Sequence, residues 1–550
     1  MIGKMLGWWA RAAAAACVLA TGAYAQEPSP TPPPAPLAYP SPAPLPAVED
    51  TRPVLSLSLQ DAVARALEHN IDIAVSRYDP QDAAEAVKEL KGFYDPLLTS
   101  TISRSSATRP ASDFFGGVAE LETDVDIYNF GVIQQVPTGG SLRVDFQNNK
   151  TTTNNESALF NPSNSSNLNI RASQPLLRDF GIDSTRLQIA VAKRNRDISD
   201  VQFRQTVVNT VAGVKQLYYD LLYAIDNLEA QRKSLALARK LLDENQIKVR
   251  VGTMAPLDVV AAESEVAGRE ESVILAEAAL LDAEDAVRRA IFADNAPQNW
   301  MYHIVPTDRP SADPNPVDAD TAVRNALEKR TDIVAARKNL ENAVDNQRFA
   351  RNQTLPAVDL QAAYGSVGQA GTQVRDAQGN LLPVPIPGGF GNAFGDVFGF
   401  DFPTWTLGVQ LSYPIPNRTA RAQSARAQIG REQTEATLRR LEIAVTQEVR
   451  SAARAVETNF KRVGSTRAAR VLQERRLDAE EKRFAAGMST NFLVTQAQRD
   501  LAFAEVSELR AVADYRKSIV NFERVQEAGG GVLFSSTPTA VSAVVNQPTQ

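Results

Sequence analysis

The feature that most constrains the fold of this chain is a glycine turn between two helical stretches, which occurs twice. One copy covers residues 248–289 and the other covers residues 482–525, and Gly252 lies 235 positions before Gly487. The same offset relates further identical pairs: Val259 and Val494, Ala262 and Ala497, Ala267 and Ala502, Glu270 and Glu505, Arg289 and Arg524. Repetition at a fixed spacing indicates that the chain is a duplicated helical hairpin.

A second pair of similar segments lies earlier in each half of the chain. Residues 62–73 and 322–333 share seven of twelve positions at an offset of 260, and that offset also maps Pro96 onto Pro356. Both halves are therefore predicted to run in the same order: a helix, strands, a long helix, a glycine turn and a shorter helix. We place the first repeat at 54–300 and the second at 318–528, with a linker at 301–317.

The predicted helices have lengths that fit each other. The two long ones, at 183–251 and 417–486, would each be about 100 Å long at 1.5 Å per residue. Each pair of shorter helices sums to nearly one long helix, so we expect the pair to stack end to end along it. Frequent alanine permits close, coiled-coil packing. The shorter helices are predicted as single helices of about 34 to 38 residues, at 58–91 and 256–293 in the first repeat and at 318–353 and 490–527 in the second.

Segments with period-two alternation lie between the helices, at 92–181 and 355–416. In residues 404–413, for example, every second residue is apolar: Trp405, Leu407, Val409, Leu411 and Tyr413. This pattern predicts strands with one apolar face. An additional hairpin at 127–148 would give the first half four strands against two in the second, so we expect four to six strands per chain.

The flanks of these strands favour an outer-membrane barrel over a soluble sandwich. Aromatic residues lie near the strand ends, and two connections, Asn148–Asn167 and Gly365–Pro403, are long and polar. Long external loops and aromatic girdles are typical of outer-membrane barrels. The glycine-rich run at 388–396 is expected to lie in one such loop without a following helix, so it does not predict a phosphate site.

The chain ends carry predicted processing and linker segments. Residues 1–25 resemble a secretory signal peptide, with Lys4 and Arg11 before an alanine-rich apolar core and the sequence Ala-Tyr-Ala at its end. Residues 26–53 form a proline-rich linker, and 529–550 are expected to be a disordered tail. After the signal peptide no apolar run approaches the ~20 residues of a membrane helix, so a membrane crossing would require β-strands.

The composition argues against catalysis and against nucleic-acid binding. The only histidines, His69 and His303, lie in different segments, and the only cysteine, Cys17, lies in the predicted signal peptide. The formal net charge is -6, which does not favour a polyanionic partner. We therefore predict no catalytic, cofactor-binding or metal-binding residues, and no enzyme activity.

The sequence resembles the TolC-type outer-membrane efflux proteins. The resemblance rests on residues 57–70, on the strand exits at 173–181 and 411–423, and on the two glycine turns. It implies a mixed α and β fold: a homotrimer whose strands jointly close one barrel in the outer membrane, continued by a long α-helical coiled-coil tunnel in the periplasm.

The resemblance also implies where functional residues lie. The turns would form the periplasmic tip that contacts an adaptor protein, and the residues implied are Gly252, Thr253, Met254, Pro256, Gly487, Met488, Ser489 and Thr490. A pore constriction is implied nearby, at Asp258, Asn491, Leu493 and Gln496. Some relatives carry acidic residues six and nine positions after the second tip glycine, whereas this chain has Leu493 and Gln496 there. A ring of negative charge is therefore not expected from those two positions.

The function implied is that of a passive exit duct in the outer membrane. An inner-membrane pump would drive small molecules into it through a periplasmic adaptor, and the remaining contacts would be with two further copies of the chain and with outer-membrane lipid. Two alternatives stay open from the sequence. One is the outer-membrane duct of a type I protein-secretion system, and the other is a periplasmic coiled-coil scaffold with soluble β-hairpins.

Overall fold

The computed structural model describes residues 52–110, 117–293, 296–309 and 311–529. The predicted signal peptide, nearly all of the proline-rich linker, and the predicted tail beyond its first residue lie outside the described residues. Within the described ranges, no helix combines the length and the apolar character that a membrane-spanning helix needs.

Ten helices and nine strands make up this part of the chain. The helices are α1 (Leu59–His69), α2 (Ile71–Ser76), α3 (Tyr78–Lys91), α4 (Ser184–Arg250), α5 (Pro256–Ile291), α6 (Ala319–Lys329), α7 (Thr331–Asn352), α8 (Phe390–Gly399), α9 (Arg418–Ala485) and α10 (Asn491–Glu527). The strands are β1 (Val54–Leu57), β2 (Leu97–Pro110), β3 (Glu120–Gln135), β4 (Ser141–Thr153), β5 (Phe160–Pro175), β6 (His303–Pro306), β7 (Ala357–Arg375), β8 (Leu381–Ile386) and β9 (Pro403–Ser412).

The two long helices are the spines of the helical part. Helix α4 has 67 residues and α9 has 68, so each extends for about 100 Å at 1.5 Å per residue. Helix α5 packs along one half of α4, and α1 to α3 pack along the other half. Helices α10, α6 and α7 pack in the same way along α9, and α4 also contacts α10 and α7. The side-by-side order near the turns is thus α5, α4, α10, α9.

The expectation of one continuous short helix at the start of each repeat is wrong. In the first repeat the helix breaks at Asn70, whose backbone is extended (ψ 128°) and whose Oδ1 accepts from the Asp72 and Ile73 amides. In the second it breaks at Arg330, also extended (ψ 133°). The Arg330 guanidinium is buried and donates to Glu448 and to the Val525 carbonyl. Helical periodicity continues across both breaks, because the flanking helices present apolar faces to the same neighbour.

A small parallel sheet that was not predicted holds the predicted inter-repeat linker against the first repeat. Strand β6, in the segment predicted as an inter-repeat linker, pairs with β1 from Val54 opposite His303 to Leu57 opposite Pro306. The buried Tyr218 of α4 holds both strands, since its hydroxyl donates to the Leu57 carbonyl at 3.1 Å and accepts from the Asp308 amide at 3.3 Å.

Six long antiparallel strands form the second part of the structure, in the order β2, β3, β4, β5, β7, β9. The predicted hairpin at 127–148 lies within β3 and β4, so the first half contributes four strands and the second half contributes two. Strand β8 is a short addition beside the far end of β7. The sheet therefore has the upper of the two strand counts that the sequence allowed.

The two faces of the sheet differ in polarity. One row of paired residues crosses all six strands through Leu98, Val132, Val144, Ile170, Tyr364 and Trp405. The adjacent row, on the opposite face, passes through Thr99, Gly131, Asp145, Asn169, Gly365 and Thr404. Large apolar side chains on the first face are exposed, among them Leu98, Val132, Leu407 and Val409. Such a sheet needs an apolar environment on one face and water on the other.

The predicted external loops are shorter than expected. Strand β4 continues to Thr153 and β5 begins at Phe160, so only six residues separate them. The glycine-rich run at 388–396, predicted as loop without a following helix, instead leads into α8, a ten-residue helix that packs on the sheet. Its many glycines hid it, because glycine has a low intrinsic helix propensity and here tertiary packing decides the outcome.

The end of α7 joins the sheet to both long helices. The Asn352 side chain accepts from the Asp179 amide at 2.9 Å just before α4 begins. The Thr354 carbonyl accepts from the Asn417 side chain at 3.2 Å just before α9 begins. Both strand exits are therefore fixed to one helix end.

We predict that Tyr218→Phe destabilises the helical part by about 0.5–1.5 kcal/mol, because the hydrogen bonds of its hydroxyl to the Leu57 carbonyl and the Asp308 amide are lost, while the Leu57 carbonyl still accepts from the Thr307 amide. Denaturant unfolding followed by circular dichroism measures the loss. The half-buried Tyr223 makes neither of these contacts, so Tyr223→Phe is the control. Equal effects of the two substitutions would contradict the role assigned to the Tyr218 hydroxyl.

Candidate functional site

The two helical turns have the same backbone geometry. Gly252 and Gly487 have positive φ angles of 75° and 76°. In the first turn the Thr253 amide donates to the Lys248 carbonyl at 2.9 Å, and the Gly252 amide donates to the Val249 carbonyl at 3.0 Å. The corresponding bonds in the second turn join Met488 to Arg483 and Gly487 to Phe484. This pair of bonds defines a Schellman motif, in which a left-handed residue, usually glycine, ends the helix.

The two turns differ in how the next helix begins. Helix α5 starts at Pro256, which is suited to a first helical position because its missing amide proton would lack a partner there anyway. Helix α10 starts after Thr490, whose side chain makes no capping bond. In the first turn the Thr253 hydroxyl donates to the Lys248 carbonyl, and in the second the Ser489 hydroxyl donates to Glu480. The proline makes the first turn the more rigid of the two.

Most of the predicted tip residues are exposed. Gly252, Thr253, Pro256, Gly487, Met488 and Thr490 lie on the surface, whereas Met254 and Ser489 are half-buried. Met254 packs against an apolar cluster that includes Leu241, Phe484 and Val494. The turns therefore present an exposed surface, and Met254 stabilises this surface by packing into the buried cluster.

Large apolar side chains are exposed beside both turns. Leu257 is 77% exposed and Val251 is 67% exposed at the first turn. Met488 is 75% exposed and Phe492 is 71% exposed at the second. Exposed apolar side chains grouped in one place mark an interaction surface more often than isolated ones do.

Buried polar groups join the two turns to each other. The Asn245 side chain donates to Asn491 Oδ1 at 2.8 Å, and Asn491 Nδ2 donates to the Asp258 carbonyl at 3.2 Å. Asn245 and Asn491 are both buried. One bridge thus spans α4, α10 and α5. Removing a partner from a buried bridge costs more than the net value of the bond, because a polar group is left without water.

A cation and an aromatic ring add a second connection. The Lys248 ammonium lies 3.4 Å from the centroid of the Phe484 ring. Lys248 lies in the last turn of α4, and Phe484 lies in the last turn of α9, in the buried cluster described above. An ammonium over a ring face is attracted by the ring quadrupole. The end of each long helix is therefore linked to the other.

An ion pair further along the helices joins the two hairpins. Glu265 of α5 accepts from Arg269 of the same helix and from Arg499 of α10. Burial raises the pKa of Glu265, but hydrogen bonds and charge from Arg499 and Arg269 outweigh burial and hold the pKa below its usual value. The same pair raises the pKa of Arg499. Glu265 therefore stays ionised and bound near neutral pH.

The four residues predicted for a constriction occupy different environments. Leu493 is exposed, Asp258 and Gln496 are half-buried, and Asn491 is buried in the bridge to Asn245. Gln496 donates to Asp500 at 2.8 Å, and Asp500 also accepts from Arg476. The contacts of the Asn491 side chain leave it little access to an aqueous space.

Five residues of this site were not predicted from the sequence: Asn245, Lys248, Glu265, Phe484 and Arg499. One signal was present: Asn245 follows Ala238 and Leu241 at helical core spacing, so a polar residue occupies a buried position. The other contacts join residues more than 200 positions apart in the sequence, and spacing along one helix cannot reveal them. Within the described residues, no group of three or more histidine, cysteine, aspartate or glutamate side chains could hold a metal ion.

Comparisons with known proteins agree on one family and one fold. A family model described as "Outer membrane efflux protein" matches residues 140–291 and 322–525. The outer membrane protein TolC of Vibrio cholerae is 22% identical over 346 residues, covering 62% of this chain and 73% of that protein. Nodulation protein T of Rhizobium leguminosarum bv. trifolii is 22% identical over 446 residues, covering 77% and 84%. The crystal structure of the Campylobacter jejuni CmeC outer membrane channel matches with a TM-score of 0.61 at 16% identity, covering 85% of each chain.

We predict that acid weakens the connection between the hairpins through Glu265. Its pKa is lower in the folded protein than in the unfolded chain, so its contribution is present above the unfolded value of about 4.3 and is lost as pH falls through the folded value. Glu265→Gln should lower the melting temperature near neutral pH, and the difference from wild type should shrink in acid.

The control for this prediction is Glu277→Gln. Glu277 lies on α5 like Glu265, is more exposed than Glu265, and pairs with Arg232 of α4. Exposed ion pairs contribute little, so this control should change stability less. A difference between wild type and Glu265→Gln that stays constant as pH is lowered would contradict the assignment.

Proposed function

We propose a function for this chain from one premise: it belongs to the outer membrane efflux protein family, whose model covers more than half of its length. The chain is an outer-membrane channel component of an efflux system, with its sheet in the outer membrane and its helices in the periplasm. Small molecules leave through it, and we propose that it is a passive conduit without chemistry of its own.

The two faces of the six-stranded sheet are the observation that carries this proposal. The exposed apolar row through Leu98, Val132 and Trp405 matches acyl chains, and the polar row behind it matches water. A soluble scaffold would leave that apolar face against water, where it would cause association. This observation disfavours the periplasmic coiled-coil scaffold, one of the two alternatives that the sequence left open.

We propose that three copies close one barrel. Among the described strands, β2 ends the sheet on one side, and β9 with the short β8 ends it on the other. Backbone groups on these outer edges cannot remain unpaired in lipid, so they require strands from neighbouring copies. With six long strands from each of three copies, the barrel has eighteen strands. Barrels of that size surround an aqueous channel.

The tips are proposed as the contact with the periplasmic adaptor. The support is the exposed apolar group Val251, Leu257, Met488 and Phe492, which lies around the two glycine turns at the end farthest from the sheet. Gly252, Thr253 and Pro256 belong to this contact from the first turn. Gly487, Met488 and Thr490 belong to it from the second, while Met254 and Ser489 support it.

The constriction is proposed to lie on α5 and α10 just after the turns. Asp258, Leu493 and Gln496 remain candidates for lining it, since each has accessible surface in one copy of the chain. For Asn491, the bridge to Asn245 favours a bracing role that holds α10 against α4 at the tip. The partner across the periplasm is an inner-membrane pump, which supplies the energy that this chain does not.

The second candidate function is that of a protein-secretion duct, whose cargo is a protein instead of small molecules. The six-stranded contribution of each copy favours it, because a wider barrel passes a bulkier cargo. Deleting the gene separates the two candidates. An efflux duct predicts greater sensitivity to small toxic compounds with unchanged secreted proteins, whereas a secretion duct predicts loss of a secreted protein.

We predict that electron cryo-microscopy of the purified protein, viewed down the barrel axis, resolves eighteen strands with threefold symmetry. The physical reason is that β3 and β4 are paired in register with β2 and β5 along their length and cannot leave the sheet without breaking both ladders. A twelve-stranded barrel, with this hairpin outside it, would contradict the prediction.

We predict that Leu257→Asp and Met488→Asp abolish most efflux, because a charge replaces apolar surface at the adaptor contact and must be desolvated there. The measurement is resistance of a deletion strain that carries each variant, alongside crosslinking to the adaptor. Leu257→Met keeps an apolar side chain and should retain function. Normal adaptor crosslinking by both aspartate variants would contradict the proposed contact.

A further inference from the structure

Helix α8 lies on the apolar face of the sheet, the face that the barrel turns toward lipid. Tyr128 of β3 contacts Phe390 with ring centroids 6.2 Å apart, and Phe146 of β4 contacts Phe394 at 5.4 Å. Tyr364 of β7 contacts Phe400, just after the helix, at 5.9 Å. Tyr364 belongs to the apolar row described above, and Phe146 is paired with Phe130 in the next row of the same face.

The sheet is built to receive the helix at this place. A Cβ atom at Gly368 would stand 2.0 Å from the Ala393 carbonyl oxygen, so only glycine allows the helix backbone to lie this close. Ala393 and Val397 are fully buried, as are Ser166 and Ser366 on the strands. The small side chains of these strands form a shallow seat, and the α8 backbone fills it.

The helix runs along β7. Gly388, just before the helix, lies against Gly371 of that strand, and Phe400, just after the helix, contacts Tyr364 of the same strand. Helix α8 packs on β7 and β5, and its phenylalanine rings reach β4 and β3. The helix therefore follows the part of β7 that is farther from the periplasmic helices, on the apolar side of the sheet.

The outward side of this segment is apolar and aromatic. Phe398 is 61% exposed and Phe402 is 62% exposed, and they continue toward the exposed Trp405 of β9. Residues 387–402 contain no lysine or arginine, and their only charged residues are Asp396 and Asp401. Asp396 lies beside Gly368, farther along β7 from the periplasmic helices than Tyr364. The polar side of α8 therefore points away from the apolar band.

We propose that α8 and the residues up to Phe402 form an interfacial anchor that inserts aromatic side chains among the acyl chains of the outer leaflet. The lipid is the occupant because this surface continues the lipid-facing band without a break. Helix α8 packs on β7 and β5, with its rings reaching β4 and β3, and leaves uncovered the outer edges β2 and β9 where neighbouring copies join, so a second copy of the chain does not cover it. The anchor fixes the height of the barrel in the membrane.

The test uses single cysteines labelled with an environment-sensitive fluorophore, in trimers reconstituted into phosphatidylcholine vesicles. The sites are Phe398→Cys and Gly395→Cys, and a Cβ at Gly395 meets nothing within 4 Å, so that variant keeps the packing. Unsubstituted protein is the blank, because the only native cysteine, Cys17, lies in the predicted signal peptide.

Both α8 labels should be quenched by lipids that carry a nitroxide near the headgroup, several-fold more than by aqueous iodide. Leu407→Cys on the lipid face and Thr406→Cys on the opposite face are matched controls from one strand. The Leu407→Cys label should be quenched by the nitroxide lipid. When it is, the anchor is overturned if both α8 labels are quenched by iodide or if neither quencher reaches them. If Leu407 itself is quenched only by iodide, the outer-membrane placement of the sheet fails instead.

Discussion

The structure depends on one constraint, the need of every backbone amide and carbonyl in lipid to have a hydrogen-bond partner. Inside one copy the six long strands meet that need for each other along complete ladders. On the outer edges of the sheet they do not, so the copy is incomplete as a membrane protein. The proposed closure with further copies would meet the remaining need and at the same time create the pore. The closed barrel is therefore a consequence of backbone hydrogen bonding, whereas the side chains determine which face of the sheet contacts water.

The helical part follows from how the strands end. Both strand exits are held at the end of α7, where Asn352 binds the Asp179 amide and the Thr354 carbonyl binds Asn417. From there α4 and α9 continue for about 100 Å, and shorter helices cover them in two stacked sets. Because the exits are fixed to one body, a closed barrel implies a closed ring of helices beneath it.

The two tips are copies in backbone geometry but not in side-chain contacts. The Schellman turns at Gly252 and Gly487 have nearly equal φ angles and the same pattern of backbone hydrogen bonds. Asn491, however, links the second tip to α4 and α5, and Glu265 links α5 to Arg499. The apolar cluster that contains Phe484 and Val494 joins α4, α9 and α10 at the same place. The two hairpins are therefore held together near the tips by polar contacts and by apolar packing.

Patterns within the sequence were sufficient to predict the duplication, the alternation of helices and strands, the apolar and polar strand faces, the extra hairpin and the family. These properties are periodic or local: offsets of 235 and 260, period-two alternation, and glycine where a helix must end. Long-range packing, in contrast, sets the breaks at Asn70 and Arg330, the pairing of β1 with β6, the helix in the glycine-rich segment, and the bridge from Asn245 through Asn491. Each of these is held by partners distant in the chain, as Arg330 is by Glu448 and the Val525 carbonyl, or as α8 is by Gly368. A residue's own neighbours in sequence carry no record of such a partner, so periodicity could not reveal it.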